Sequence, residues 1–194
     1  MKKFINSAIP FLVVGGLMFK YYLDSQPTTA TIDVPGNPQT VYDPAANLPE
    51  FNVVPGSVYD GDTIRVVPVG ISGYPKAQQL KIRFACIDAP ERDQPGGIEA
   101  RDQLKRMLSE SGDRVKLNII TTDRYGRSVA EVWNSGGFVQ NGLVHIGLAY
   151  PYEQYKDDCP NWDIVKSGEQ YAQANRLGVW ANPNAVKPWE YRKK

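Results

Sequence analysis

The residues with chemical capacity gather in three short runs. The first is Asp60-Gly61-Asp62-Thr63, the second Arg83-Phe84-Ala85-Cys86-Ile87-Asp88-Ala89-Pro90-Glu91, and the third Asp123-Arg124-Tyr125-Gly126-Arg127. Two separated aspartates, with a glutamate three residues after the second, are hard oxygen ligands suited to Ca2+ or a similar cation. Two arginines, Arg83 and Arg127, present forks of donors that never deprotonate and suit the equatorial oxygens of a phosphoryl group. Acids for a cation and arginines for an anion together describe phosphodiester chemistry. The competing reading is a set of surface ion pairs, which require neither this spacing nor this order. The sole histidine, His145, falls in a helical stretch, so His-dependent hydrolysis is set aside.

Several elements must position these runs. Residues 53–58, 63–69, 79–87, 114–121 and 128–133 are rich in β-branched side chains and separated by turn signals such as Asp60-Gly61-Asp62 and Ser135-Gly136-Gly137, which predicts about five strands. Residues 98–109 place Ile98, Leu104, Met107 and Leu108 on one helical face, and 138–148 and 164–175 are further helices. The fold class is therefore α+β, a five-stranded OB-type barrel with three helices. One conflict is visible at this level. Arg83 and Asp88 are five residues apart, and strict strand alternation sends them to opposite faces unless the strand bends or ends between them.

The chain has 194 residues, 42% hydrophobic and 22% charged, enough apolar material for one compact domain and too little charge for disorder. From Phe51 onward 19 Lys and Arg face 17 Asp and Glu, a net of +2. A protein that coats nucleic acid by charge alone is excluded, and any such contact must rest on a few placed residues. Met1-Lys2-Lys3 precedes an apolar run to Phe19, so residues 1–23 read as a signal peptide or an N-terminal membrane anchor, which puts the remainder outside the cytoplasm, secreted or tethered. Residues 24–50 read as an extended linker, 51–182 as the barrel domain and 183–194 as a C-terminal tail. Cys86 and Cys159 are able to pair in an oxidising compartment or to remain a buried and an exposed thiol. With a single histidine they do not make a structural zinc site.

Asp-Gly-Asp-Thr, then Arg-x-x-x-x-Asp-x-Pro-Glu, then Asp-x-Tyr-Gly-Arg, in this order, resembles the staphylococcal nuclease-like (thermonuclease) family over roughly residues 53–180. The resemblance implies an OB-type barrel with three helices that cleaves DNA and RNA with Ca2+ and little sequence specificity, with Mg2+ or Mn2+ as alternative ions, acting as a monomer. It implies that Asp62 and Asp88 are side-chain metal ligands and that Ala89 contributes its backbone carbonyl. Glu91 corresponds to the family's general base or water-orienting glutamate, and Arg83 and Arg127 to its phosphate-clamping arginines. Arg124, Tyr125, Tyr150 and Tyr152 fall where substrate contacts are expected, with Tyr155 beside them. A non-catalytic nucleic-acid- or protein-binding module of the same fold is the alternative. The complete set Asp62, Arg83, Asp88, Glu91 and Arg127 favours the enzyme. The loop after Glu91 is shorter and less lysine-rich than the family's, and the insert 68–79 is longer.

Overall fold

A computed structural model describes residues 43–193. The predicted signal or anchor segment and most of the linker lie outside the described residues, and among those described no helix is long and apolar enough to cross a membrane. In chain order the strands are β1 (Glu50–Val53), β2 (Thr63–Pro68), β3 (Leu80–Phe84), β4 (Ile87–Asp88), β5 (Arg114–Thr122), β6 (Ser128–Asn134), β7 (Gly137–Phe138) and β8 (Tyr150–Pro151). The helices are α1 (Gly97–Glu110), α2 (Val139–His145), α3 (Trp162–Ala174) and the single turn α4 (Pro188–Tyr191).

Five of the strands close a ring. β1 pairs antiparallel with β2 and β5, β2 with β3, and β5 with β6. A parallel pairing of β3 with β6, Arg83 opposite Val129, shuts the barrel and leaves it no long open edge. A register shift between Ile119 and Thr121 marks the bulge at which β5 bends around the corner. Ile64 and Val66, Ile82 and Phe84, Val115 and Leu117, and Ala130 and Val132 occupy alternate positions of their strands and are all buried. Each of the Val, Ile, Leu and Phe side chains among them contributes roughly 1.5–3 kcal/mol of burial. α1 adds Ala100, Leu104, Met107 and Leu108 to this core and ends at Glu110, two residues before Gly112, whose φ of 69° suits the turn that follows.

Three sequence expectations are corrected. The first strand lies at Glu50–Val53 and not at 53–58, because the chain turns at Pro55-Gly56, where Gly56 has φ 71°. The third strand stops at Phe84 and does not run to 87. The linker and the tail are not separate from the domain at their inner ends. Ala45 is buried and Pro49 accepts a hydrogen bond from Leu117 N. At the other end, Val186 O accepts from Gln94 Nε2 at 2.5 Å and Trp189 packs on Tyr150 and Tyr152. A four-residue helix is too short to leave a hydrophobic period in sequence.

Cys86 and Cys159 form a disulfide that closes 73 residues and joins the end of the third strand to the segment entering α3. Beside it lies Glu131, with no solvent exposure, whose carboxylate accepts from Asn161 N and Nδ2 at 2.9 Å and from Asn118 Nδ2 at 3.1 Å. Nothing in the sequence singled out this glutamate. The hydrogen bonds offset the cost of burying its charge. Replacing both cysteines by alanine is expected to lower unfolding free energy by about 2–4 kcal/mol. Urea unfolding measures this, and a loss below about 1 kcal/mol would contradict the bond's place in the fold.

Candidate active site

The site begins with a break in a strand. After Phe84 the backbone folds back on itself: Ala85 N donates to Ala130 O, Ile87 N donates to Ala85 O, and Cys86 takes a left-handed φ of 69°. That conformation is costly for a residue with a Cβ and persists only where the surroundings enforce it. Here the disulfide and the β3–β6 pairing do so. The chain then resumes as β4, which pairs with β8, Asp88 opposite Tyr150. This reversal resets the alternation of side chains. Arg83 Nη2 therefore meets Asp88 Oδ1 at 2.5 Å, and the conflict raised by their spacing is resolved.

Asp62 arrives from the other side. Its N–H is bound by Asp60 Oδ1 at 3.1 Å, so Asp60 shapes the turn. Gly61 is required by close packing and not by an unusual φ, since a Cβ there would come within 2.6 Å of Ala89 Cβ and 2.8 Å of Ala100 Cβ. The turn is thus pressed onto α1 and onto the Ala89 segment. Asp62 Oδ2 accepts from Ala89 N at 2.7 Å and pairs with Arg83 Nη1 at 2.7 Å, while Thr63 Oγ1 donates to Asp62 Oδ1 at 3.3 Å. One guanidinium, on a side chain 12% exposed, thereby bridges both aspartates. Glu91 is placed by its own loop, in which Gln94 Oε1 accepts from Glu91 N and Gln94 N donates to Glu91 O. Gly97 lets α1 begin against this loop, since a Cβ at that position would overlap the Glu91 carbonyl oxygen.

A residue that sequence reasoning did not select completes the cluster. Arg192, just past α4, donates from Nη2 to Asp88 Oδ2 at 2.7 Å, and from Nη1 to Asp88 Oδ1 at 3.1 Å and to Glu91 Oε1 at 2.7 Å. The only signals for it were Pro188, suited to the first position of a helix, and two large aromatics, Trp189 and Tyr191, in a supposed tail.

The charge balance of this corner points to a cation. Once Asp62 gives up its proton, Asp60, Asp62, Asp88 and Glu91 supply four carboxylates against the guanidinium groups of Arg83 and Arg192, a surplus matching one divalent ion. Burial pushes the Asp62 carboxyl up to about 8, against the pull of Arg83 and with Asp60 and Asp88 adding to the rise. The donor set is hard oxygen from carboxylates on two elements, with Ala89 alongside, which fits Ca2+ better than a soft-ligand metal. The residues present therefore fit the implied ion.

Arg127 is held in the turn that leads into β6, the strand beside Arg83. Asp123 both caps this turn and orients Arg127. Its Oδ1 accepts from Tyr125 N and Arg127 N at 2.9 Å, and its Oδ2 from Arg127 Nε at 2.7 Å. Partial burial works against ionisation of Asp123, but these donors hold its carboxyl below the usual range. Tyr125 is exposed, with Arg124 and Arg127 5.1 and 5.6 Å from its ring centroid.

Of the expected base contacts, Tyr150 is corrected: it is 3% exposed and packs edge-on against Trp180 and Trp189, so its ring is a wall and not an open platform. Tyr152 stacks on Trp189 at 5.2 Å and lies edge-on to Tyr155. His145 stacks on Tyr171, between α2 and α3.

Next to the cluster, Thr63 also lines a groove of about 500 Å³ carrying Arg65, Lys81, Arg92, Arg101 and Lys105, with Tyr59 under the Arg92 guanidinium at 5.1 Å. Asp102 pairs with Arg101 and Lys105 and offsets part of this charge. The small net charge of the chain is thus unevenly spread, as a few placed cations.

Comparison with known proteins agrees with the geometry. The profile of the family described as Staphylococcal nuclease homologue matches residues 81–182. Staphylococcal-like nuclease CAN1 of Arabidopsis thaliana is 39% identical over 119 residues, covering 60% of this chain and 34% of the plant protein. An uncharacterized endonuclease of Escherichia coli O157:H7 is 32% identical over 136 residues, covering 70% of this chain and 80% of its own length. Protein ParB of Escherichia coli is 32% identical over 145 residues, 70% of this chain and 76% of that protein. The chain spans about a third of the length of the plant relative.

The raised Asp62 carboxyl carries a pH signature. Because it holds its proton to about 8 in the folded chain against 3.8 in the unfolded one, the folded state binds more protons between those values. Stability in chelator should therefore fall as pH rises from about 5 to 8, by up to about 1 kcal/mol per pH unit. Asp62→Asn should flatten that slope. Urea titrations across the range measure both, and equal slopes in the two proteins would count against a strained, cation-seeking carboxylate.

Proposed function

This chain belongs to the staphylococcal nuclease family, and on that footing we propose that its corner cluster hydrolyses phosphodiester bonds of DNA and RNA in a Ca2+-dependent manner, with little sequence specificity. The observation that carries the reading is the Arg83 guanidinium spanning the buried Asp62 and Asp88, with Glu91 beside them.

Asp62, Asp88 and the Ala89 carbonyl are the groups that would hold the ion. Its chemistry when bound is neutralisation of phosphate charge and acidification of water. Glu91, partly exposed and tethered by Gln94, accepts or directs the proton of the attacking water. Arg83, already fixed by two carboxylates, and Arg127, fixed by Asp123, donate to the non-bridging oxygens as charge grows on them. Pre-orientation of both arginines means little reorganisation at the moment of reaction, so their loss should lower turnover more than binding. No covalent intermediate is needed. The groove that starts at Thr63 offers a path for the phosphates of the strand beyond the scissile bond.

The chain is further proposed to work outside the cytoplasm, exported or tethered through residues 1–23. The Cys86–Cys159 bond supports this, since such bonds persist in oxidising compartments.

Cleavage of single-stranded DNA, double-stranded DNA and RNA by the full chain, in Ca2+ and in chelator, tests the activity. Glu91→Gln should lower turnover by about 10²–10⁴-fold with little change in substrate binding. Undiminished cutting by that variant, or by wild type in chelator, would overturn the mechanism. For the groove, reversing charge at Lys81 and Lys105 should weaken binding of a 12-nucleotide single strand and reduce its salt slope by roughly one to two. Turnover of a dinucleotide substrate should be unchanged, and an unaltered salt slope would remove the groove from the strand's path.

A further inference from the structure

Arg192 occupies a position that the proposed chemistry needs for something else. Asp88 is fully buried, with Oδ1 taken by Arg83 Nη2 and Arg192 Nη1 and Oδ2 by Arg192 Nη2. Arg192 also takes Glu91 Oε1. A divalent ion drawing on Asp88 must therefore share that carboxylate with two guanidinium groups, and cations on one buried carboxylate repel strongly.

The two arginines differ in how freely they can leave. The Arg83 side chain is 12% exposed, sits inside the barrel wall and holds both aspartates. The Arg192 side chain is 40% exposed and hangs from the single turn α4. Among the described residues that turn is docked by Trp189 on Tyr152 and Tyr150, Val186 O on Gln94 Nε2, and Tyr191 OH on Asp93 O at 3.3 Å. These contacts reach β8 and the Glu91 loop, the two elements that flank Asp88, so the segment straps the corner.

We infer that Arg192 is the resident counter-ion of Asp88 and Glu91 in the metal-free protein and that it exchanges for the divalent cation, coupling ion binding to release of the segment 186–192. The inference rests on the proposed function for the identity of the ion, and concerns a residue outside that mechanism. By linkage, whatever the strap gains by docking the ion loses in affinity, and the reverse. Without an ion the strap relieves the repulsion among the acids. With one bound, the guanidinium swings off Asp88 and bares the Tyr152 ring now covered by Trp189.

The test is Ca2+ binding to the full chain by calorimetry, without nucleic acid, in wild type, Arg192→Gln and the charge-matched control Arg176→Gln. Arg192→Gln should bind Ca2+ about tenfold more tightly than wild type, the control should match wild type, and the variant's gain reflects loss of one charge-assisted competitor. Hydrogen exchange of wild type should show the amides of Glu190 and Tyr191 in α4 and of Arg192 at its end, bonded to Lys187 and Pro188 carbonyls, exchanging faster once Ca2+ is added. Equal or weaker binding by Arg192→Gln, or α4 protection that holds or rises with Ca2+, overturns the exchange and leaves the nuclease reading standing. Absence of Ca2+ binding in every protein overturns the exchange and the Ca2+ reading together.

Discussion

Four carboxylates brought to one corner of a barrel repel one another, and the Arg83 guanidinium between Asp62 and Asp88 is what allows two of them to be buried there. An unpaired buried charge costs several kcal/mol, and pairing recovers that only with near-ideal geometry. The neighbouring structure supplies that geometry. Gly61 brings the Asp60–Asp62 turn into contact with Ala89 and α1, and the Ala89 amide donates to Asp62. Removing Arg83 would leave two acids facing each other without a shared partner, so fold and chemistry meet in that one side chain.

The corner itself is held from behind. Cys86 in a left-handed conformation turns β3 into β4, the disulfide ties that turn to the approach of α3, and Glu131 gathers Asn161 and Asn118 around the same spot. A reduced or mutated disulfide would thus be felt at Asp88, two residues from Cys86, before it was felt in the barrel. On the opposite side the Glu91 loop is drawn tight by Gln94 and Gly97. The result is a rigid frame in which Arg192 is the one cation of the cluster on a lightly held element.

Much of this was legible in sequence, for reasons that can be named. The barrel strands and α1, α2 and α3 announce themselves by β-branched runs and helical spacing, which are local signals. The motif set names Asp62, Arg83, Asp88, Ala89 and Glu91, which the structure brings into one cluster because short turns and a strand end fix their relation. What failed needed distant partners. The first strand was misread because Val53-Val54 and Val58, on either side of the turn at Gly56, extend the β-branched pattern beyond the strand's end at Val53. Tyr150 looked like a surface aromatic because Trp180 and Trp189, which bury it, come from far along the chain. Arg192 stayed hidden since its partners lie about a hundred residues upstream, and Glu131 since an acid in a strand reads as outward-facing.

The central claim is that this corner binds a divalent cation beside a phosphate. A crystal structure of the full chain with Ca2+ and a non-hydrolysable dinucleotide, read by anomalous scattering, addresses it directly. The account predicts one Ca2+ bound by Asp62, Asp88 and the Ala89 carbonyl, with Arg83 and Arg127 on the phosphate and Glu91 facing a water next to it. Ca2+ bound elsewhere, or a phosphate that ignores both arginines with the carboxylates still paired to Arg83 and Arg192 alone, would contradict it.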